Sequence, residues 1–179
     1  EVLQASAGHL VRHGGHARAA GLELRAEAIP AFRRAVEAAV EKRLGDETPR
    51  PTLSIDLEVP LDAMSRDFLH ELERLGPFGE RNPEPRFLCR DLHLVGRPKR
   101  LGSDDDHLAF RVGRGGEPPF RRAIAFGMGD RFGELERLHR RASRVQARDA
   151  LSVVFRLGRD DWRGRRDVQL VVDDFRVRQ

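Results

Sequence analysis

The stretch RFLCRDLHLVG, residues 86–96, is the point at which the hydrophobic period of this 179-residue chain becomes two. Apolar and polar residues alternate there as they do along a half-buried strand. Working outward, four further runs keep the same period: HLAFRV (107–112), RRAIAFG (121–127), LSVVFRLG (151–158) and RDVQLVVDDFRV (166–177). Between the third and fourth strands, Asp130 to Arg141 carries Phe132, Leu135 and Leu138 at helical spacing. The polar segment RDDWRGRRD (159–167) reads as the hairpin joining the last two strands.

Five short strands with a helix between the third and fourth is the order of a five-stranded OB-fold-like β-barrel, although a generic antiparallel α+β sheet has a similar pattern. The expected class is α+β. Upstream, residues 1–10 read as helical and feed a glycine pair, read as a turn, and Leu22 and Leu24 begin a short strand at Gly21. Pro30 suits the first turn of a helix bearing Phe32, Val36, Val40 and Leu44 and stopped by Gly45. The connector GDETPRP (45–51) is the best domain boundary. Beyond it, Leu53, Ile55, Leu57 and Val59 predict a strand, and the spacing of Leu61, Met64, Phe68, Leu69, Leu72 and Leu75 predicts a helix over 61–75. GPFGERNPEPRF (76–87) is too rich in Gly and Pro for regular structure and reads as a fixed turn. The expected division is 1–48, a connecting strand and helix at 49–84, and the barrel at 85–179.

With 39% apolar residues the chain can build real cores. Cys89, the single cysteine, has no disulfide partner and no metal-ligand spacing, which fits a reducing compartment, so the cytoplasm is expected. No apolar run approaches the roughly 20 residues of a membrane span. The net charge of +4 is modest, but Lys42 and Lys99 are the only lysines among 33 basic residues. Arginine suits phosphate, and the bias equally fits a GC-rich genome. The chain starts at Glu1 without a methionine, as an excised piece does, so part of the functional unit is expected elsewhere.

The candidates for chemistry are few. In RHGGHARAAGLEL (12–24), Gly14 and Gly15 permit close approach to backbone N–H groups, His16 can donate to phosphate, and Arg12 and Arg18 add positive potential. The same residues also fit a tight helix-to-strand turn. Asp104, Asp105 and Asp106 beside His107 read as a solvated loop, and Asp173 and Asp174 point to opposite faces of a strand, so no metal site is expected here. None of the serines has a nucleophile-elbow setting. Trp162 at the hairpin tip, flanked by Arg159, Arg163, Arg165 and Arg166, could stack on a base or fold back on the barrel. Arg97, Lys99 and Arg100 follow the first barrel strand, where OB-folds meet nucleic acid, and Phe110 and Phe126 are assigned to the core. His107 opens the second strand and is expected to make a strand-end hydrogen bond.

Taken in order, GGHARAAGLEL (14–24), LGPFGERNPEPRF (75–87), HLAFRV, AIAFG (123–127) and WRGRRDVQLVVDDF (162–175) resemble the C-terminal part of the RecJ family, single-strand-specific 5′-to-3′ exonucleases of the DHH phosphoesterase superfamily. The resemblance covers nearly the whole chain. It implies the end of a DHH-associated α/β domain at residues 1–48 followed by an OB domain. It implies phosphate contacts at Gly14, Gly15, His16 and Arg18, and single-stranded-DNA contacts at Arg97, Lys99, Arg100, Trp162, Arg163, Arg165 and Arg166. Manganese or magnesium would be held by a preceding DHH domain, whose signature does not occur here, so this chain alone is expected to be catalytically inert. One departure is SDDDH (103–107), an acidic loop beside the expected DNA path. A different class of function is a noncatalytic OB module that contacts a single-strand-binding protein or replication partner. A relative acting on very short RNAs or cyclic dinucleotides is disfavoured, because such substrates need no long groove.

Overall fold

The computed structural model describes residues 1–16, 19–45, 51–115, 117–142, 150–161 and 167–178. The chain divides into two compact units, Glu1–Leu53 and Ser54–Gln179.

In the first unit, helix α1 (Val2–Ala5) and a 3-10 turn (Ala7–His9) precede strand β1 (Arg12–His16), which pairs antiparallel with β2 (Ala19–Glu23). Helix α2 (Ile29–Leu44) follows, with Pro30 in its first turn and Gly45, at φ 57°, just past its end. The glycine pair is therefore not the expected helix-to-strand turn. Gly14 and Gly15 lie inside β1, opposite Gly21 and Ala20. The reason is steric: at φ 148°, a Cβ on Gly15 would collide with the Ala19 carbonyl and lie 2.5 Å from Ala20 Cα. Small residues on both strands let the two backbones close up. No hydrophobic side chain of this unit is buried among the described residues, and the stripe predicted on α2 is half-buried at Phe32, Val36 and Val40 and exposed at Leu44.

In the second unit, β3 (Leu57–Glu58) pairs parallel with β4 (Phe87–Leu94), and β5 (Lys99–Leu101), β6 (His107–Arg114), β7 (Glu117–Ala125), β8 (Ala150–Asp160) and β9 (Asp167–Arg178) complete the sheet. Five of these strands close on themselves in the order β4-β8-β9-β7-β6, with β6 returning to β4 through His93 opposite Gly113 and Leu94 opposite Val112. The β7–β9 pair is parallel and the other four junctions are antiparallel. Helix α4 (Phe132–Ala142) lies between β7 and β8 in the chain. This is the OB order read from the sequence, and the α+β class holds. Alternation fills the interior: Leu108, Phe110 and Val112 of β6, Leu151, Val153 and Phe155 of β8, and Leu170 and Phe175 of β9 are buried with Leu135 and Leu138 of α4. Burying each such side chain contributes about 1.5–3 kcal/mol.

The segment 49–84, read as a connecting strand and helix, contributes to that core. Leu61, Met64 and Leu69 are buried in it, and Phe68 meets Phe87 edge-on with ring centroids 5.5 Å apart. The helix predicted over 61–75 is shorter than its apolar spacing suggested. A 3-10 turn (Leu61–Ala63) comes first, and Ser65 Oγ then accepts the Phe68 N–H at 3.1 Å, starting α3 (Arg66–Glu73) afresh. The strand predicted around residues 53–59 is regular only at β3. Leu53, Ile55 and Leu57 are exposed, and Val59 alone of the four is buried. Phe126 is also corrected: it is 58% exposed, because β7 ends at Ala125 and Gly127, at φ 67°, turns the chain away. No described helix is long and apolar enough to cross a membrane.

Candidate nucleic-acid interface

The side chains of β6 and β7 that do not enter the core make a second surface. Ala109, Arg111 and Gly113 alternate along β6, and Phe120 and Arg122 stand on the facing strand, with Arg111 directly opposite Arg122. With Arg97, Lys99 and Leu101, the residues Ala109, Arg111, Phe120 and Arg122 line an open groove of about 830 Å³. Gly113 makes room for the Phe120 ring: a Cβ there would lie 2.7 Å from Phe120 Cδ1 and 3.1 Å from His93 Nε2, so the ring rests against the β6 backbone only because no side chain stands in its place. The Arg111 guanidinium lies 5.5 Å from the centre of that ring.

Opposite arginines on one face of a sheet repel. Here Arg122 Nη1 donates to the buried Asp160 at 2.9 Å, while Arg111 has no carboxylate partner among the described residues. A cationic patch bordered by an aromatic ring is what a single strand needs: guanidinium and ammonium groups for phosphate, and a ring face for a base.

The expected DNA contacts separate. Arg97 and Lys99 line the groove, and Arg100, pointing the other way, sits 4.8 Å from the Phe132 ring centre and donates to the Asp105 carbonyl at 3.1 Å. Arg97 also reaches Glu136 of α4 at 3.1 Å, and hydrogen bonds from Arg97 and then Arg140 hold Glu136 below the usual carboxylate range. Trp162, Arg163, Arg165 and Arg166 fall outside the described residues, as does Arg18. Arg159 is engaged by Glu73, at 2.6 and 2.5 Å. Arg111, Phe120 and Arg122 were missed because outward-facing polar residues are what any half-exposed strand shows; the adjacent arginines Arg121 and Arg122 after Phe120 were the available signal.

Gly14, Gly15 and His16 line a separate open cavity of about 830 Å³ in the first unit, with His13, Ala19, Ala20 and Arg43. Their backbone is exposed along the hairpin. His107 makes the strand-end bond expected of it, its Nδ1 accepting the Gly127 N–H at 3.1 Å.

The carboxylates singled out in the sequence are engaged elsewhere or stand exposed. Asp173 is held by Arg86 at 2.9 Å and Arg156 at 3.0 Å, and Asp174 by Arg131 at 2.7 Å. Asp104, Asp105 and Asp106 are exposed, and among the described residues no three His, Cys, Asp or Glu side chains converge.

Residues 55–174 match the model of the RecJ OB domain. The chain belongs to the RecJ OB-domain family. Single-stranded-DNA-specific exonuclease RecJ of Thermus thermophilus is 39% identical over 115 residues, which is 63% of this chain and 16% of that protein. The RecJ of Bacillus subtilis is 26% identical over 168 residues, 94% of this chain and 20% of that protein. The chain thus spans a fifth or less of the length of these RecJ relatives. Crystal structures of T. thermophilus RecJ with Mn2+ and with Mg2+ superpose with TM-scores of 0.63 and 0.61 at 28% identity, covering 98% of this chain and 23% and 24% of theirs.

Proposed function

We propose that this chain is the substrate-positioning and single-stranded-DNA-binding part of a RecJ-like 5′-to-3′ exonuclease acting in DNA repair and recombination in the cytoplasm. The groove of the OB barrel, where Lys99 and Arg111 stand beside the Phe120 ring, carries this reading. Lys99 and Arg111 attract phosphates, Phe120 offers a stacking face, and Trp162 is a second aromatic residue able to stack on a base. In the first unit, the exposed Gly14–Gly15 backbone and His16, with Arg18 nearby in the sequence, place a phosphate of the strand near the reacting end. Hydrolysis would belong to the DHH domain that the resemblance implies for the whole enzyme, whose Mn or Mg would supply the chemistry of water activation. The relatives' names and the Mn2+ and Mg2+ structures support an exonuclease that takes a divalent metal.

The test is equilibrium binding of the chain to single- and double-stranded oligonucleotides across a salt series. Single strands should bind preferentially, with each phosphate contact adding ~0.7 to the negative log–log slope. Arg111→Ala and Trp162→Ala should each weaken binding, and the chain should show no nuclease activity with Mn2+ or Mg2+. Equal affinity for duplex, or binding indifferent to Arg111, refutes the groove as the site.

A further inference from the structure

Arg122 shares the groove with Lys99 and Arg111 but differs from them electrically. Its Nη1 is held by Asp160, whose side chain is 5% exposed, whereas Arg122 itself is 27% exposed. A buried carboxylate is costly unless paired. Asp160 therefore fixes the guanidinium in one orientation and cancels its charge. Only Nη1 of Arg122 has a partner among the described residues, which leaves Nε and Nη2, the other edge of a planar fork, for a ligand.

We propose that this edge reads a nucleobase and not a phosphate: Arg122, positioned by Asp160, favours a base with two neighbouring acceptors, and guanine, with O6 and N7, fits best. The inference rests on the groove being a single-strand site. Three observations favour a base. An arginine already neutralised gains little from counterion release, which drives phosphate contacts. Asp160 and Asp167 both line this end of the groove, where two carboxylates repel a phosphate. Phe120 and Arg122 lie two residues apart on β7, ~7 Å along the strand and on one side of it, so a base stacked on the ring brings its edge to the fork.

The test uses the whole 179-residue chain and fluorescent oligonucleotides of about 15 nucleotides, the upper range for one OB-fold. The probes are a d(TTG) repeat, a d(TTA) repeat, and the d(TTG) repeat with 7-deazaguanine, which lacks the N7 acceptor. The guanine repeat should bind about tenfold tighter than the adenine repeat, and the deaza analogue should lose that gain. Arg122→Lys keeps the charge beside Asp160 and removes the fork, so it should abolish the preference with the salt slope unchanged. Asp160→Asn releases the charge of Arg122, so it should steepen the slope by ~0.7 while weakening the preference. Circular dichroism melts confirm that the variants fold; should Asp160→Asn not fold, Arg122→Lys and the deaza probe decide the question. Salt-dependent single-strand binding without a guanine preference, or a preference that survives Arg122→Lys, overturns the base-reading role and leaves the groove intact. Absence of single-strand binding by the unsubstituted chain overturns the groove reading itself, and this inference with it.

Discussion

Replacing Gly113 by alanine tests whether the Phe120 ring, in its present position, is the stacking surface. The added methyl would stand 2.7 Å from Phe120 Cδ1 and 2.9 Å from Cε1. Carbon atoms rest in contact at ~3.5–4.0 Å, so the ring edge must retreat by about 1 Å. The other near neighbour, His93 Nε2 at 3.1 Å, closes off part of the escape and sends the ring away from β4. Gly113 is not among the positive-φ glycines, so alanine meets no backbone penalty and gains a little from lower unfolded-state entropy. Because the obstacle is a side chain and not backbone, stability should change by no more than ~1 kcal/mol. A stacked base contributes ~1–3 kcal/mol, and a ring displaced by about 1 Å should forfeit much of it, weakening single-strand affinity by roughly 5- to 50-fold. Phe120→Ala should weaken it at least as much. Anisotropy titrations with an oligothymidine, alongside thermal melts, measure both quantities. A folded Gly113→Ala chain that binds within about twofold of the parent refutes the stacking role of Phe120.

Met64 is fully buried, and Met64→Ala should cost ~2–5 kcal/mol in denaturant unfolding; a loss under ~1 kcal/mol would detach residues 54–84 from the barrel core. The Arg131 hydrogen bonds hold Glu134 below its ordinary value of 4.5, against an opposing contribution from burial. A carboxyl held low adds stability that is complete above its unfolded value and is lost as pH falls through the folded one. Glu134→Gln should therefore be less stable than the parent at neutral pH, with the deficit shrinking below about pH 4.5, and a deficit independent of pH contradicts this. Burial pushes the Cys89 thiol up to about 11, so a thiol reagent at mildly alkaline pH should label it only as the chain unfolds; immediate labelling of the folded protein would show the site to be open.

The barrel was legible because most of its strands are half-buried: one face packs on the core, and the period of two follows in the burial of β6, β8 and β9. The apolar residues of α4 declared their buried face in the same way. What the pattern does not carry is which part of the polar face stays open. Arg111 and Arg176 look alike in sequence, yet only Arg111 lies in the groove, because the short β5 and the bend before it raise a wall beside β6. The glycines of β1 were misplaced for a related reason, since the same residue permits a turn or a close strand crossing, and the partner strand decides which. Phe126 misled because one residue past the last ladder pair, Leu108 with Ala125, the alternation no longer has a core to face.

Closing five strands into a barrel leaves the sheet with two free margins, β3 and β5, and these are its shortest members, two and three residues long. Pro98 stands immediately before β5 and Pro60 two residues after Glu58, where neither can donate to a lengthened ladder. A neighbouring molecule therefore finds almost no unpaired backbone to extend. The same geometry keeps one barrel from zipping edge to edge onto the barrel of a neighbouring molecule, so the sheet that presents the cationic groove stays a closed unit.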